Sequence, residues 1–259
     1  MSDDLEAQAE ALLLRMTRAR RRAKPRTAEA FYDAEDKVVE TSFGNVQAWR
    51  LGEGPAVLLV HGWEDDHALW GPLIDQYAQI GRAVVAFDLP GHGYSEAEEA
   101  TFHSASEAVL AVAEALGPVD SLVAHSFGCP SSLKALTEGL GVSRAVLISS
   151  PLPSPQGRRR FAELGELQPE VFARAAELYE QRNGRPFSGG FDMEEAAKAQ
   201  TIPLLLIHSM DDEQCPAENS NVLADAWPGA ELMMTDGLGH RLIAQDQDIM
   251  DRIIDFTES

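Results

Sequence analysis

Three shortages narrow what this chain can be: it has few cysteines, few cations for its acids, and no long apolar run. Cys129 and Cys215 are the only cysteines in 259 residues, and neither stands in a C-x-x-C or other metal-ligand spacing. A disulfide scaffold and a zinc ribbon are thereby excluded, and both thiols are expected to be reduced and to serve as small buried hydrophobes. Lys and Arg number 21 against 42 Asp and Glu, a net charge of −21. A nucleic-acid backbone needs clustered cations, so nucleic acid is excluded as a partner, and an anionic membrane surface would repel the chain. No apolar stretch approaches the roughly 20 residues that cross a bilayer, and the N-terminal residues lack the apolar core of a secretory signal. The expected location is cytoplasmic, with no membrane span.

The remaining composition suits a folded globular chain, at 44% hydrophobic and 24% charged residues. The length allows one sizeable α/β core. Charge is unevenly placed. Arg15, Arg18, Arg20, Arg21, Arg22, Lys24 and Arg26 put seven of the 21 cations into one short arm, while from residue 27 onward 14 cations face 38 anions, a balance of −24. Within residues 1–36, read as an N-terminal helical arm, Leu5, Ala9, Leu12, Leu13 and Met16 recur at helical spacing. The spacing predicts a helix over 2–24, stopped by Pro25. Its uses would be docking, dimerisation into a homodimer, or a lip over an active site; an apolar stripe packed on its own chain is the plainer alternative.

Strand and helix signals alternate through residues 37–259, read as one domain. A hairpin is predicted from 37–41 and 46–51 around Ser42-Phe43-Gly44-Asn45. Apolar runs at 56–60, 83–87, 121–125, 144–148, 204–208 and 230–234 are continuous rather than alternating, as in strands covered on both faces. Helices are expected over 68–80, 104–116, 131–140, 217–227 and 241–256. These signals specify an α/β fold: a mostly parallel sheet of about eight strands with helices on both faces. Between 149 and 200 the alternation stops, and helical patterns at 158–164 and 169–181 suggest a short helical lid. Chemistry on such sheets gathers at the C-terminal strand ends.

One stretch organises the rest. Ser121-Leu122-Val123-Ala124-His125-Ser126-Phe127-Gly128-Cys129-Pro130 reads as strand, tight turn and helix, with Ser126 at the apex and small residues two positions to either side. Taken alone, it equally suits an ordinary buried serine. Other segments decide. From about residue 37 onward the chain resembles the α/β-hydrolase family, whose nucleophile, acid and histidine follow one another in that order. Ser126 lies at the elbow, with Ala124 where glycine is usual. Asp212 lies in Leu204-Leu205-Leu206-Ile207-His208-Ser209-Met210-Asp211-Asp212-Glu213-Gln214-Cys215-Pro216, and His240 closes Asp236-Gly237-Leu238-Gly239-His240. The adjacent Asp211 competes for the acid role, but the resemblance implies a small residue three before the acid and a proline four after it, and Ser209 and Pro216 match those offsets around Asp212. His61-Gly62-Trp63 resembles the oxyanion segment, which implies that the backbone N–H groups of Trp63 and Phe127 bind the developing charge.

The resemblance implies a serine hydrolase that cleaves a small or medium carboxylic ester through an acyl-enzyme, with no cofactor and no metal. The alternatives are hydrolysis of a carbon–carbon bond in a β-diketone-like substrate by the same three residues, or a non-catalytic protein that keeps the pocket for ligand capture. Dehalogenase and epoxide hydrolase chemistry is disfavoured, since those relatives carry aspartate where Ser126 stands. His92 is read as part of a structural turn, His125 and His208 as near-core, and His67 and His103 as solvated. Asp65, Asp66 and His67 are sequence neighbours that cannot all face one ion. Arg158, Arg159 and Arg160 are read as a solvated face of the lid.

Overall fold

The computed structural model describes residues 3–21, 29–153, 168–184 and 191–259. Strands β1 (Glu35–Thr41) and β2 (Gly44–Leu51) pair antiparallel with Thr41 opposite Gly44, so the reversal occupies only Ser42 and Phe43. Gly44 leaves this turn at φ 115°, which a side chain rarely permits. β2 then pairs antiparallel with β4 (Ala83–Phe87). From there the sheet is parallel through β3 (Ala56–Val60), β5 (Val119–His125), β6 (Arg144–Ile148), β7 (Leu204–Ser209) and β8 (Glu231–Thr235). The order is β1-β2-β4-β3-β5-β6-β7-β8.

Every residue of β3 and β4 is buried, because alternate side chains serve two layers. Leu58 and Val60 join α3 (Phe102–Leu116), α4 (Gly128–Thr137), α6 (Met193–Lys198) and α7 (Glu218–Ala226) on one face. Val57 and Leu59 join α2 (Gly71–Gln79) and α8 (Gln247–Glu258) on the other. Hence the unbroken apolar strand sequences. Each fully buried Leu or Val contributes about 1.5–3 kcal/mol.

Several helix limits differ from the sequence pattern, for local reasons. The 68–80 helix opens as a separate 3₁₀ turn, His67–Trp70, capped by the Asp66 side chain on the Ala68 N–H. α2 proper then starts at Gly71, with Pro72 in its first turn. The elbow helix begins at Gly128 rather than 131, directly from the turn. The closing helix is broken: Leu242–Gln245 is a 3₁₀ turn, and Asp246 caps α8 by accepting from the Asp248 and Ile249 N–H groups.

The N-terminal helix is the largest correction. α1 (Asp3–Thr17) ends at Thr17, not at 24, and residues 18–21 continue without helix. The Thr17 carbonyl accepts the Ala100 N–H at 2.7 Å. The Arg21 guanidinium donates to the carbonyls of Gly91, Glu96 and Ala97. A continuing helix would carry these groups away from their acceptors. The expected stop at Pro25 and the cations Arg22, Lys24 and Arg26 lie outside the described residues. The apolar stripe of α1 packs on its own chain: Ala9, Leu12 and Leu13 are buried against Val171, Ala175, Leu178 and Tyr179 of α5 (Pro169–Asn183). Glu6 and Glu10 pair with Arg174 and Arg182 across this contact. Ion pairs that solvent still reaches add little, so apolar burial supplies most of its stability.

Of the 149–200 segment, α5 and α6 are described, and the latter sends Met193 and Ala197 into the α3–α4 layer. The expected helix at 158–164, with Arg158, Arg159 and Arg160, lies outside the described residues. Among those described, no helix is long and apolar enough to cross a membrane. Both cysteines are free and buried, and burial pushes the Cys129 thiol up to about 12.

Candidate active site

The turn after β5 is built as its small residues require. Ser126 sits at φ 51°, a left-handed conformation that costs a non-glycine residue about 1–3 kcal/mol. Its N–H is held by the Ile148 carbonyl of β6 at 2.9 Å, and its own carbonyl accepts from the Cys129 N–H at 2.9 Å. A Cβ at Gly128 would fall 2.6 Å from the Val60 carbonyl oxygen and 2.7 Å from that of His61, so only glycine fits. Gly62 is held to the same standard, since a Cβ there would lie 2.8 Å from the Ser126 Cβ. The Ala124 methyl is fully buried in the α3–α4 layer and is accommodated there.

Strand ends bring three residues together from 126, 212 and 240. The Ser126 Oγ lies 2.9 Å from His240 Nε2, and His240 Nδ1 lies 2.7 Å from Asp212 Oδ2. The other Asp212 oxygen accepts the Gln214 and Cys215 N–H groups, each at 2.8 Å. His208 Nε2 stands 3.3 Å from Oδ2 and 3.0 Å from the Cys215 carbonyl, with Ser220 Oγ 2.7 Å from its Nδ1. Burial works against ionisation of Asp212, but hydrogen bonds from His208, from His240 and from the Cys215 N–H outweigh it. The carboxyl is held well below the usual carboxylate range. Asp211 takes a different part: it accepts from the Ser209 hydroxyl and from the Gly239 N–H, which ties the glycine turn before His240 to the end of β7.

Trp63 and Phe127 meet beside the serine, their rings 5.2 Å apart and edge-on. The Trp63 ring also meets His92 at 5.2 Å, and Phe102 stacks on Phe127 at 4.9 Å. Arg241, next to His240, donates to the Trp63 carbonyl at 3.3 Å and pairs with Asp65 at 3.1 Å. It thereby joins the histidine turn to the 61–65 loop.

Most of the histidines support this arrangement from below. His125 is fully buried, its Nε2–H donating to the His240 carbonyl at 2.7 Å; burial pushes it down to about 3, so the ring is neutral. His61 accepts the Leu89 N–H at 2.9 Å and is likewise pushed down by burial to about 3. His92 Nδ1 donates to the Pro90 carbonyl, as a structural turn requires. His67 overturns the expectation of a solvated side chain. It is fully buried, and both its N–H and its Nδ1 lie 2.8 Å from Asp88 Oδ1. Asp65, Asp66 and His67 diverge, toward Arg241, the Ala68 N–H and Asp88 respectively. No group of residues that could hold a metal ion occurs among the described residues.

Sequence reasoning missed four participants: His208 behind the acid, Asp88 beneath His67, Arg241, and the strap of residues 18–21. The signal for His208 was its place at the end of β7, four residues before Asp212. Arg241 was signalled only by adjacency to His240.

A mostly parallel sheet with a serine on a strained strand-to-helix turn, and a histidine and a carboxylate on later strand ends, is the architecture of an α/β hydrolase. The chain belongs to that family: residues 57–252 match the model of the alpha/beta hydrolase family. It is 26% identical to an uncharacterized protein of Mycobacterium tuberculosis over 84% of this chain and 81% of that one. It is 24% identical to the pimeloyl-[acyl-carrier protein] methyl ester esterase of Xanthomonas campestris over 73% of this chain and 89% of the relative. Among solved structures, an esterase of Pyrococcus furiosus superposes with a TM-score of 0.73 at 18% identity, covering 93% of this chain and 98% of the other. The carboxylesterase CesB of Bacillus subtilis gives 0.66 at 21% identity, covering 97% and 96%. These structural likenesses concern the fold.

Proposed function

We propose that the protein is a serine esterase that hydrolyses a small or medium carboxylic ester through an acyl-enzyme, with Ser126, His240 and Asp212 as catalytic triad. The observation that carries this reading is the continuous hydrogen-bonded chain from the Ser126 hydroxyl through His240 to Asp212. A serine hydroxyl is a poor nucleophile until an imidazole takes its proton, and the imidazole needs a carboxylate to fix its tautomer and stabilise its charged form. His240 Nε2 removes the Ser126 proton as Oγ attacks the ester carbonyl. The Trp63 and Phe127 N–H groups bind the resulting oxyanion, each such donor being worth about 10²–10³ in turnover. The proton then passes from His240 to the departing alkoxide, leaving the acyl group on Ser126. A water molecule repeats the sequence in reverse, giving its proton to His240 and releasing the acid. No step calls for a cofactor.

The esterase named among the relatives supports ester chemistry in particular. In the same reading residues 37–259 form the hydrolase domain, 1–36 an arm upon it, and 149–200 the lid, with α5 and α6 as its described helices. The test is a panel of aryl esters of rising acyl length, run beside fluorophosphonate labelling with the labelled residue mapped. Ser126→Ala should lose turnover by about 10⁶-fold, the scale of nucleophile loss in a comparable triad, while keeping its thermal transition. Label on another serine, with the variant still active, would refute the assignment.

A further inference from the structure

We propose that the N-terminal strap, residues 18–21 together with the Thr17 carbonyl from which it starts, positions the oxyanion loop that carries Trp63; the inference rests on the esterase reading above. Trp63 is followed by Glu64 at φ 57°, a left-handed conformation that a glutamate holds only under constraint. The turn's own closing bond, from the Asp65 N–H to the Gly62 carbonyl, is long at 3.4 Å. The loop therefore depends on outside supports. Arg241 supplies one from the histidine side, at the Trp63 carbonyl and at Asp65.

The strap supplies another. The Arg20 N–H donates to the Glu64 carboxylate at 3.2 Å. One residue on, the Arg21 guanidinium gathers three carbonyls of the neighbouring loop, with Nε on Gly91 at 3.0 Å and Nη2 on Glu96 and Ala97 at 3.1 and 2.5 Å. Gly91 precedes His92, the ring against which the Trp63 indole rests. Arg18 pairs with Glu98 and Glu99, and the Thr17 carbonyl holds the Ala100 N–H, two residues before the Phe102 ring that stacks on Phe127. Contacts of the strap thus land beside both oxyanion residues. Its upstream end is fixed by the α1–α5 cluster, which draws on no residue of the sheet. The guanidinium fork suits the task, since its donors keep a fixed planar spacing that a lysine cannot reproduce.

The test separates positioning from stability. Arg18→Ala/Arg21→Ala leaves the α1–α5 cluster intact. Its kcat on p-nitrophenyl butyrate should fall about tenfold with KM within about threefold, a part of the 10²–10³ that loss of a whole oxyanion donor costs. Arg21→Lys should fall between. In 1 M NaCl, where screening shrinks to about 3 Å, wild-type kcat should move toward that of the double variant, which should itself respond little. Should the double variant fold poorly, Glu64→Asn serves instead: asparagine tolerates the left-handed conformation but is too short to reach the strap, and kcat should again fall with the melting temperature unmoved. A double variant, or Glu64→Asn, that melts earlier but keeps kcat within about twofold of wild type at both salts would show a merely structural strap and overturn the inference. A wild type that neither turns over the ester nor takes fluorophosphonate on Ser126 would overturn the esterase reading, and the inference with it.

Discussion

Two adjacent aspartates offer the sharpest check on the site, because their contacts assign them different work. The Asp212 Oδ1 position accepts two backbone N–H groups, and Oδ2 faces His240 Nδ1 at 2.7 Å and His208 Nε2 at 3.3 Å. In Asp212→Asn the amide oxygen takes the Oδ1 place, where the backbone donors require an acceptor, so the NH₂ is turned toward both imidazoles. His240 must then accept at Nδ1 and carry its proton on Nε2, facing Ser126, where it cannot act as base. The same change in a related triad costs about 10⁴ in turnover, or about 5.5 kcal/mol at 1.36 kcal/mol per decade. Asp211→Asn keeps an acceptor for the Ser209 hydroxyl and the Gly239 N–H, so its kcat should stay within about tenfold. Stability should follow pH correspondingly. The native Asp212 carboxyl titrates below its unfolded value of about 3.9, so its contribution is complete above that value and is lost as pH falls through the native one. Asp212→Asn should therefore flatten the acid limb of a stability-versus-pH curve below about pH 4. Steady-state kinetics of both variants on one good ester decide the matter. The reverse ranking, or two variants both within tenfold of wild type, would refute the assignment.

Two further outcomes test the frame. Gly128→Ala drives a methyl to 2.6 Å from the Val60 carbonyl oxygen, a backbone atom with no room to retreat; thermal melts should show a loss of about 1–3 kcal/mol, and fluorophosphonate labelling should slow. Asp88→Asn leaves the His67 N–H, His67 Nδ1–H and Tyr94 N–H sharing one acceptor oxygen in a fully buried site. Urea unfolding should show a loss of about 1–3 kcal/mol, the scale for leaving a buried donor unsatisfied, and an unchanged stability would show that His67 and Asp88 are not coupled.

The residues whose placement was legible in the sequence are those marked by a short local pattern at a strand end. Ser126 between Ala124 and Gly128, Asp212 in the loop after β7, and His240 closing a glycine turn needed no knowledge of distant contacts, and the apolar strands disclosed the two-faced sheet. What escaped depends on groups remote in sequence. His67 has polar neighbours and reads as solvated, but Asp88, 21 residues later, draws it inside. The helix expected to run on through the arginines stops at Thr17, because the Thr17 carbonyl is taken by the distant Ala100 N–H and Arg21 by the carbonyls of residues 91–97. Sequence separation, rather than any weakness of local signal, divides the two groups.

The same distinction explains where the fold places its strain. Four non-glycine residues among those described have positive φ: Glu64, Ala97, Ser126 and Ser149. Three of them lie beyond the C-terminal ends of β3, β5 and β6, where the chain leaves the sheet. At about 1–3 kcal/mol each, they would consume much of a typical stability of 5–15 kcal/mol unless held individually. Each has a specific hold. The Ser126 N–H extends the ladder to Ile148 of β6, and the Ser149 N–H extends it to Ile207 of β7, both at 2.9 Å. The kink at Ser126 is thus fixed by the next strand, whose own kink is fixed by the one beyond, and this relay of ladder bonds runs toward the strand that leads to Asp212. Glu64 is held instead at its carboxylate by the Arg20 N–H of the strap, while Arg241 holds its neighbours at the Trp63 carbonyl and the Asp65 carboxylate. The loop of residues 61–65 is therefore the part of the proposed site held from outside the sheet, and the part on which changes in surface charge should act first.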